Sequence, residues 1–168
     1  LYPIAVIFQV TPVVAIAPLI LIWVGLDNAE FAILILATLV AFFPVLANTN
    51  LGIKSVNKNL HELFSLYGAS RYQRLVKLQI PFALPFILTG MKTSIGLSLI
   101  GAVVAEFVAG SGTSTGLAWR IIEAGNRLDM AKLFAALILL VILGVFLFLL
   151  MSFLEKILLK RWHDSSTF

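Results

Sequence analysis

The chain has 168 residues, 61% of them hydrophobic and 12% charged, with a net charge of +4 and a mean hydropathy of +1.06. Soluble domains usually carry about twice that charged fraction, so the composition predicts an integral membrane protein in contact with lipid. Without cysteine, the chain can form neither a disulfide nor a thiolate metal site. Its basic residues flank apolar segments instead of forming one polar face, so we expect no nucleic-acid partner.

Four apolar segments predict an all-α, polytopic membrane domain that covers residues 1–168. Each is near the length of about 20 residues that crosses the hydrocarbon core, and they span residues 4–24, 31–51, 82–108 and 133–154. Pro12 and Pro18 predict a broken first helix and Pro44 a kink in the second, because proline removes a backbone donor. Since the chain enters an apolar segment directly at Leu1, we expect further sequence, including spans, to precede it in a longer protein.

Small residues recur along the third apolar segment, at Gly90, Ser94, Gly96, Ser98 and Gly101. In lipid, small side chains allow helix backbones to approach closely. The pattern therefore predicts tight helix packing along this span.

The distribution of charge predicts which loops face the cytoplasm. Residues 54–92 hold six basic side chains against one acid, whereas the loop at 25–30 has two acids and no base. Lysine and arginine collect on the cytoplasmic side of membrane proteins. We therefore expect the loop at 54–81 and the C-terminal tail in the cytoplasm and the other two loops outside.

The cytoplasmic loop begins with the pattern of a short helix. Asn59 followed three residues later by Glu62 fits a capping box, which marks a helix start. Gly68 is expected to end this helix, because glycine adopts the left-handed conformation at little cost. An apolar face at helical spacing is formed by Leu60, Leu63, Phe64 and Tyr67.

A second short helix is predicted after Gly68. Ser70 and Gln73 form another capping box, and Pro81 predicts a turn of the chain before the third span. The predicted product is a pair of helices hinged at a glycine, with an apolar face suited to a groove on another protein.

The loop also resembles a known family. Glu62, Gly68 six positions later, and the run Leu78, Gln79, Ile80, Pro81 match the E-A-A-x₃-G-x₉-I-x-L-P loop of permeases in binding-protein-dependent ABC importers. The surrounding text, YGASRYQRLVKLQIPFALPFILTGMK, is similar to the branch that imports sulfonates, nitrate, taurine or related nutrients. WVGL, FFPVLANT and AEFVAGSGTSTGL resemble the same branch. The chain differs from this family in two ways. It has fewer predicted spans than family members usually have, and Leu63 and Phe64 replace the two alanines of the motif.

The resemblance implies a type I importer permease in the bacterial plasma membrane, which passes a small solute such as a sulfonate, nitrate, taurine or a vitamin precursor by alternating access. It implies three partners: cytoplasmic ATPase subunits, a second and identical permease copy, and an extracytoplasmic solute-binding protein. ATP would be bound by the ATPase subunits, so we expect no cofactor and no enzymatic activity in this chain. In agreement, the sequence contains no G-x-x-x-x-G-K-[ST] phosphate loop. The docking loop implied for the ATPase comprises Glu62, Leu63, Phe64, Gly68, Ala69, Leu78, Ile80 and Pro81.

A few polar residues near the spans are candidates for the solute pathway. Glu106 is the most conspicuous, since an ionisable residue near lipid usually faces a cavity or a partner. Asn48 could line a path, although a polar helix end explains it equally well. The alternative function is a channel or secondary transporter without ATP, for which Glu106 and Lys92 are the available coupling charges. No catalytic set is visible, and the two histidines lack the spacing of a metal site.

Overall fold

The computed structural model describes residues 12–25, 28–110 and 116–160, and the helices account for nearly all of them. In chain order they are α1 (Val13–Val24), α2 (Ala29–Lys54), α3 (Lys58–Leu66), α4 (Arg71–Arg74), a π-helical turn (Leu75–Gln79), α5 (Ile80–Ala109), α6 (Leu117–Asn126) and α7 (Met130–Leu159). The all-α membrane fold predicted from the sequence is confirmed.

Among the described residues, three stretches are long and apolar enough to cross a membrane: Ala29–Lys54, Arg71–Ala109 and Met130–Leu159. They correspond to the second, third and fourth predicted spans. The described part of the first predicted span is α1, which has 12 residues, begins directly after Pro12 and continues through Pro18. The break predicted at Pro18 is therefore wrong, whereas the part of this segment before Pro12 lies outside the described residues.

The chain does not turn at Pro81, contrary to the sequence prediction. The N–H of Ile80 donates to the carbonyl of Leu75, five residues earlier, so the helix widens into a π turn just before the proline. Pro81 follows this wider turn as the second residue of α5, and Arg71–Ala109 is one continuous helical stretch.

The helices contribute to two compact units, each with its own packing. The first comprises the described residues up to Phe43 together with those of Ser94–Leu150. One cluster of buried side chains in its described part has seven members, four of them alanines: Ala17, Ile20, Leu21, Ala29, Ala32, Leu36 and Ala105. In this unit a Cβ on Gly101 would lie 3.2 Å from the Cα of Ala37, so the backbones of α5 and α2 approach closely.

The second unit comprises Pro44–Thr93 and the chain from Met151 onward. Here a Cβ on Gly90 would lie 2.8 Å from the Pro44 carbonyl oxygen and 3.0 Å from the Cα of Val45. Tight packing is therefore confirmed at Gly90 and Gly101. The prediction of tight packing is wrong for Gly96, because a Cβ added there would meet nothing within 4 Å.

These two glycines allow a matched test of the packing. Gly90→Ala should destabilise the protein by about 1–3 kcal/mol, because the methyl group would overpack rigid backbone. Gly96→Ala makes the same chemical change in open space and should be neutral or slightly stabilising, because alanine favours the helix. Thermal unfolding of the purified protein in detergent measures both, and equal melting temperatures would contradict the proposed contact.

Candidate functional site

Helix α3, in the loop expected to face the cytoplasm, starts two residues earlier than its sequence suggests. Its N-cap is Asn57, whose side-chain oxygen accepts the N–H of Asn59 at 2.9 Å. The predicted capping box of Asn59 and Glu62 is therefore wrong, since Asn59 already lies inside the helix. Asn57 and Asn59 are both of a residue type that favours the N-cap position, and the structure begins the helix after Asn57. Glu62 is left exposed on the helix.

Gly68 ends α3 in the left-handed conformation, with a φ of +67°. The N–H of Gly68 donates to the Ser65 carbonyl at 3.0 Å, and the N–H of Ala69 donates to the Phe64 carbonyl at 2.9 Å. This pair of bonds is a Schellman motif, which satisfies carbonyls that a helix end leaves open. A Cβ on Gly68 would meet nothing within 4 Å, so the backbone angle, and not space, requires glycine here. The predicted role of Gly68 as helix terminator is confirmed.

The second helix begins as predicted and is fastened to the first. Ser70 Oγ accepts the N–H of Gln73 at 3.2 Å, and the Gln73 side chain accepts the N–H of Ser70 at 2.8 Å, which confirms the capping box. Arg74 Nη1 donates to Ser65 Oγ at 3.1 Å across the turn. The sequence carries no signal for this last contact, because it depends on the angle that Gly68 sets between the helices.

The most exposed apolar side chains of the loop cluster near Gly68. Leu66 is 85% exposed, Tyr67 83% and Tyr72 73%, and α3 has no buried residue. Leu66 follows Glu62 by four residues and therefore lies on the same side of the helix. We call Glu62, Leu66, Tyr67, Gly68 and Tyr72 the docking surface. Leu66 was absent from the predicted apolar face, although its spacing from Glu62 could have indicated it.

The other predicted docking residues are less uniform. Leu63 is exposed, whereas Phe64 and Ala69 are half-buried. At the end of the π turn Leu78 is buried. The last two predicted docking residues are less buried than Leu78: Ile80 is exposed and Pro81 is half-buried. The predicted set thus divides into residues that form an outer surface and residues, Leu78 above all, that anchor the loop to its unit.

Lys92 forms an ion pair with Glu155 in the second unit. Lys92 Nζ lies 2.6 Å from Glu155 Oε2, and the two side chains are only 25% and 18% exposed. A charge placed within a membrane span is costly unless it is paired. The pair neutralises both charges and joins α5 to the last turns of α7.

Exchanging the two charges tests this ion pair. Lys92→Met should cost about 1–3 kcal/mol, because it leaves the partly buried Glu155 carboxylate without its donor. The double variant Lys92→Glu/Glu155→Lys should recover much of that loss, because it restores the attraction with reversed polarity. Lys156→Met, on the exposed neighbour of Glu155, is the control. Chemical or thermal unfolding in detergent measures the effect, and a double variant no better than the single one would contradict it.

The carboxylate of Glu106 is engaged by backbone in the first unit. Glu106 Oε2 accepts the N–H of Ala118 at 3.0 Å and the N–H of Trp119 at 3.1 Å, both in the first turn of α6. The N-cap of α6, Gly116, has no side chain that could serve these donors. Glu106, proposed from the sequence as a pathway or pairing residue, thus meets a helix N-terminus.

Asn48, the other pathway candidate, folds back on its own helix. Its side-chain amide donates to the Pro44 carbonyl at 2.8 Å, and the neighbouring Thr49 hydroxyl donates to the Val45 carbonyl at 2.6 Å. Asn48 is half-buried, and its Cβ lies 3.0 Å from the position that a Cβ on Gly90 would occupy. Its amide therefore serves the helix backbone, while a role in solute passage stays a prediction. The kink predicted at Pro44, which lies inside the unbroken α2, also stays a prediction.

Ion pairs within the loop tie the polar face of α6 together. Glu123 pairs with Arg120 at 3.1 Å and with Arg127 at 2.9 Å. Asp129 lies just before α7. The Lys132 side chain donates a hydrogen bond to its carboxylate at 3.0 Å, and this bond holds the pKa of Asp129 below its ordinary value. The charges of this loop thus neutralise one another locally.

Leu128 ends α6 with the same pair of bonds that Gly68 uses at the end of α3. Its N–H donates to the Gly125 carbonyl at 3.1 Å, and the N–H of Asp129 donates to the Ala124 carbonyl at 2.9 Å. The φ of Leu128 is +55°, although its side chain is 77% exposed. A leucine in this conformation costs about 1–2 kcal/mol, so the turn between α6 and α7 holds some backbone strain.

Comparison with known proteins places these features in a family context. Residues 1–164 match the family model described as binding-protein-dependent transport system inner membrane component. The chain is 38% identical over 165 residues to the riboflavin transport system permease protein RibX of Chloroflexus aurantiacus. It is 36% identical over 159 residues to the formylaminopyrimidine transport permease protein ThiX of Halalkalibacterium halodurans. It is 35% identical over 157 residues to the putative aliphatic sulfonates transport permease protein SsuC of Bacillus subtilis.

These alignments cover nearly all of the present chain but only part of each relative. They include 98% of this chain for the first relative and 94% for the other two. In turn, the chain spans 59%, 61% and 55% of the length of these three proteins.

Proposed function

Because the chain belongs to the family of inner membrane components of binding-protein-dependent transport systems, we propose that it is the permease subunit of an ATP-driven importer. In this proposal the chain forms the path for a small solute across the plasma membrane and hydrolyses no ATP itself. Cytoplasmic ATPase subunits supply the energy, an extracytoplasmic binding protein delivers the solute, and a second copy of the permease completes the pore.

The observation that carries this proposal is the docking surface. Large apolar side chains exposed to water mark protein contact sites, and here Leu66, Tyr67 and Tyr72 surround the turn at Gly68. Glu62 adds a carboxylate on the same side of α3. A rigid, capped helix pair with an aromatic and leucine-rich tip is suited to insert into a groove of an ATPase subunit.

The second unit also offers a route by which movement of that helix pair reaches the spans. Arg74 braces α4 against α3 through Ser65, and α4 continues through the π turn into α5 without a loop. Lys92 then ties α5 to Glu155 on α7. Since helices are stiff, a displacement of the docking surface is passed to both spans as a rigid movement.

The outer surface of α7 suits lipid or a second permease copy. Its most apolar window is only 6% buried in the single chain, and large exposed residues occur along its length, for example Phe134, Ile138, Val141 and Phe146. In a homodimer part of this surface would pack against the identical subunit, and the rest would face lipid.

We propose that the solute is a small organic compound without a strong negative charge. In the described structure, Lys92 is the cation that lies away from the ends of the three long helices, and Glu155 neutralises its charge. A fixed site for a sulfonate or nitrate would need an available cation or several converging donors. Ring compounds such as those named for the riboflavin and formylaminopyrimidine permeases place no such demand on the spans.

The alternative, a channel or secondary transporter, needs charges that can act as coupling groups. Both candidates for that role already have partners within the chain: Lys92 pairs with Glu155 and Glu106 bonds two backbone N–H groups. Their engagement supports a permease whose energy comes from partner subunits.

Substitutions at Glu62 and Gly68 test the docking proposal. Glu62→Lys reverses the charge of the surface, and Gly68→Val forces a β-branched residue into the left-handed conformation, which it resists. Each should lower co-purification of the ATPase subunits with the full-length permease by about tenfold or more, equivalent to 1.4 kcal/mol. Gly68→Asn, which tolerates that conformation, is the matched control and should bind nearly normally. Normal co-purification of both Glu62→Lys and Gly68→Val would show that the docking assignment is wrong.

The apolar part of the surface can be tested separately. Leu66→Ala/Tyr67→Ala removes two side chains that are exposed in the single chain, so it should leave the folded state intact. It should nevertheless weaken ATPase binding by about tenfold, because buried aromatic and leucine anchors dominate interface energies. Phe146→Ala on α7, which is also exposed in the single chain but is expected to face lipid or a second permease copy, should not change ATPase binding. A similar affinity for all three proteins in a pull-down titration would refute the apolar contact.

A further inference from the structure

Glu106 and Gly116 form a contact that neither the family nor the docking proposal explains. Glu106 lies in the last turn of α5, and its carboxylate accepts the N–H groups of Ala118 and Trp119. These are the second and third residues of α6, where a helix has backbone donors without internal partners. The N-terminal end of a helix dipole also favours a negative charge. Glu106 therefore caps α6 from a different helix.

Gly116 provides an independent observation at the same place. A Cβ on Gly116 would collide with the Glu106 carboxylate carbon and both of its oxygens. The φ of Gly116 is −77°, a value that any residue adopts, so the backbone conformation does not require glycine; a methyl group at this position would instead displace the flexible end of the Glu106 side chain. The glycine thus makes room for the carboxylate. The adjacent Ala118 is buried, with 1% of its surface exposed, which shows how closely this end of α6 is packed.

The contact joins two helices that are separate in the sequence. Glu106 belongs to α5 and precedes Gly116 by ten positions, so its carboxylate fixes the start of α6 from a different helix.

We propose that Glu106 is a positioning residue that latches α6 to the end of α5, and that it is not a ligand of the solute. By the charge distribution of the loops this end faces outward, so the latch holds in place the outer helix that borders solute entry. Its link to solute entry rests on the proposed transport function, whereas the latch itself does not depend on it.

The proposal predicts that two chemically unrelated substitutions have the same effect. Glu106→Ala removes the acceptor, and Gly116→Ala displaces it, because the new methyl group occupies the position of the carboxylate. Each should increase hydrogen exchange at the Ala118 and Trp119 amides by about tenfold or more, since they lose their hydrogen-bond acceptor. The double variant should exchange no faster than either single one, because both changes break the same contact.

Further variants keep the test decisive. Gly125→Ala, also in α6, places a methyl group at an ordinary 3.7 Å from Leu133 and should leave exchange unchanged. Glu106→Gln keeps an oxygen acceptor without the charge and should raise exchange by only a few fold; it replaces Glu106→Ala if that variant does not fold. Hydrogen exchange of the purified full-length permease, followed by mass spectrometry, measures all of them. Unchanged exchange in Gly116→Ala, or an additive double variant, would overturn the latch.

Transport kinetics separate positioning from solute binding. In cells, riboflavin, formylaminopyrimidine and taurine serve as probes, and the one that the unmodified transporter takes up is used. A positioning role requires Glu106→Ala and Gly116→Ala to lower the maximal uptake rate alike. A rise in KM of Glu106→Ala that Gly116→Ala does not reproduce would assign Glu106 to the solute and overturn the proposal. If none of the probes is imported, the exchange experiment still decides on the latch while the transport proposal is tested by ATPase co-purification.

Discussion

The structure depends on one constraint: backbone N–H and C=O groups at helix ends and helix breaks need hydrogen-bond partners. At several ends of the described helices a specific device supplies them. Asn57 caps α3, a Schellman motif at Gly68 ends it, and Ser70 and Gln73 cap α4 reciprocally. Before Pro81 the helix widens into a π turn. At the start of α6, where no local side chain serves, Glu106 reaches across from α5.

The same logic governs the few charges near the spans. Lys92 and Glu155 neutralise each other within the second unit, and Glu106 meets the positive end of a helix dipole in the first. These two contacts hold helices in place, and the exposed tip around Gly68 is the surface at which the proposed ATPase subunits would act.

Much of the fold could be read from the sequence because hydrophobicity and length suffice to predict a membrane helix. The three described spans, the glycine end of α3 and the capping box at Ser70 depend on local chemistry within a few residues, and all were predicted correctly. The errors arose where two local signals competed. Asn57 and Asn59 are equally good caps, and Pro81 can either end a helix or sit in its first turn. Gly90 and Gly96 are alike in sequence, yet only Gly90 faces the backbone of another helix.

By itself, then, the sequence determined that this protein is a helical membrane protein of the binding-protein-dependent transport family with a glycine-hinged loop, since composition, periodicity and a motif with fixed spacing are all local properties. Only the tertiary structure decided which groups meet across long separations: Arg74 with Ser65, Lys92 with Glu155, and Glu106 with the start of α6. It also showed that Leu66 and Tyr67, more than Leu63 and Phe64, form the exposed tip. These contacts depend on the angles between helices, and such angles result from the packing of whole surfaces, which no short stretch of sequence specifies.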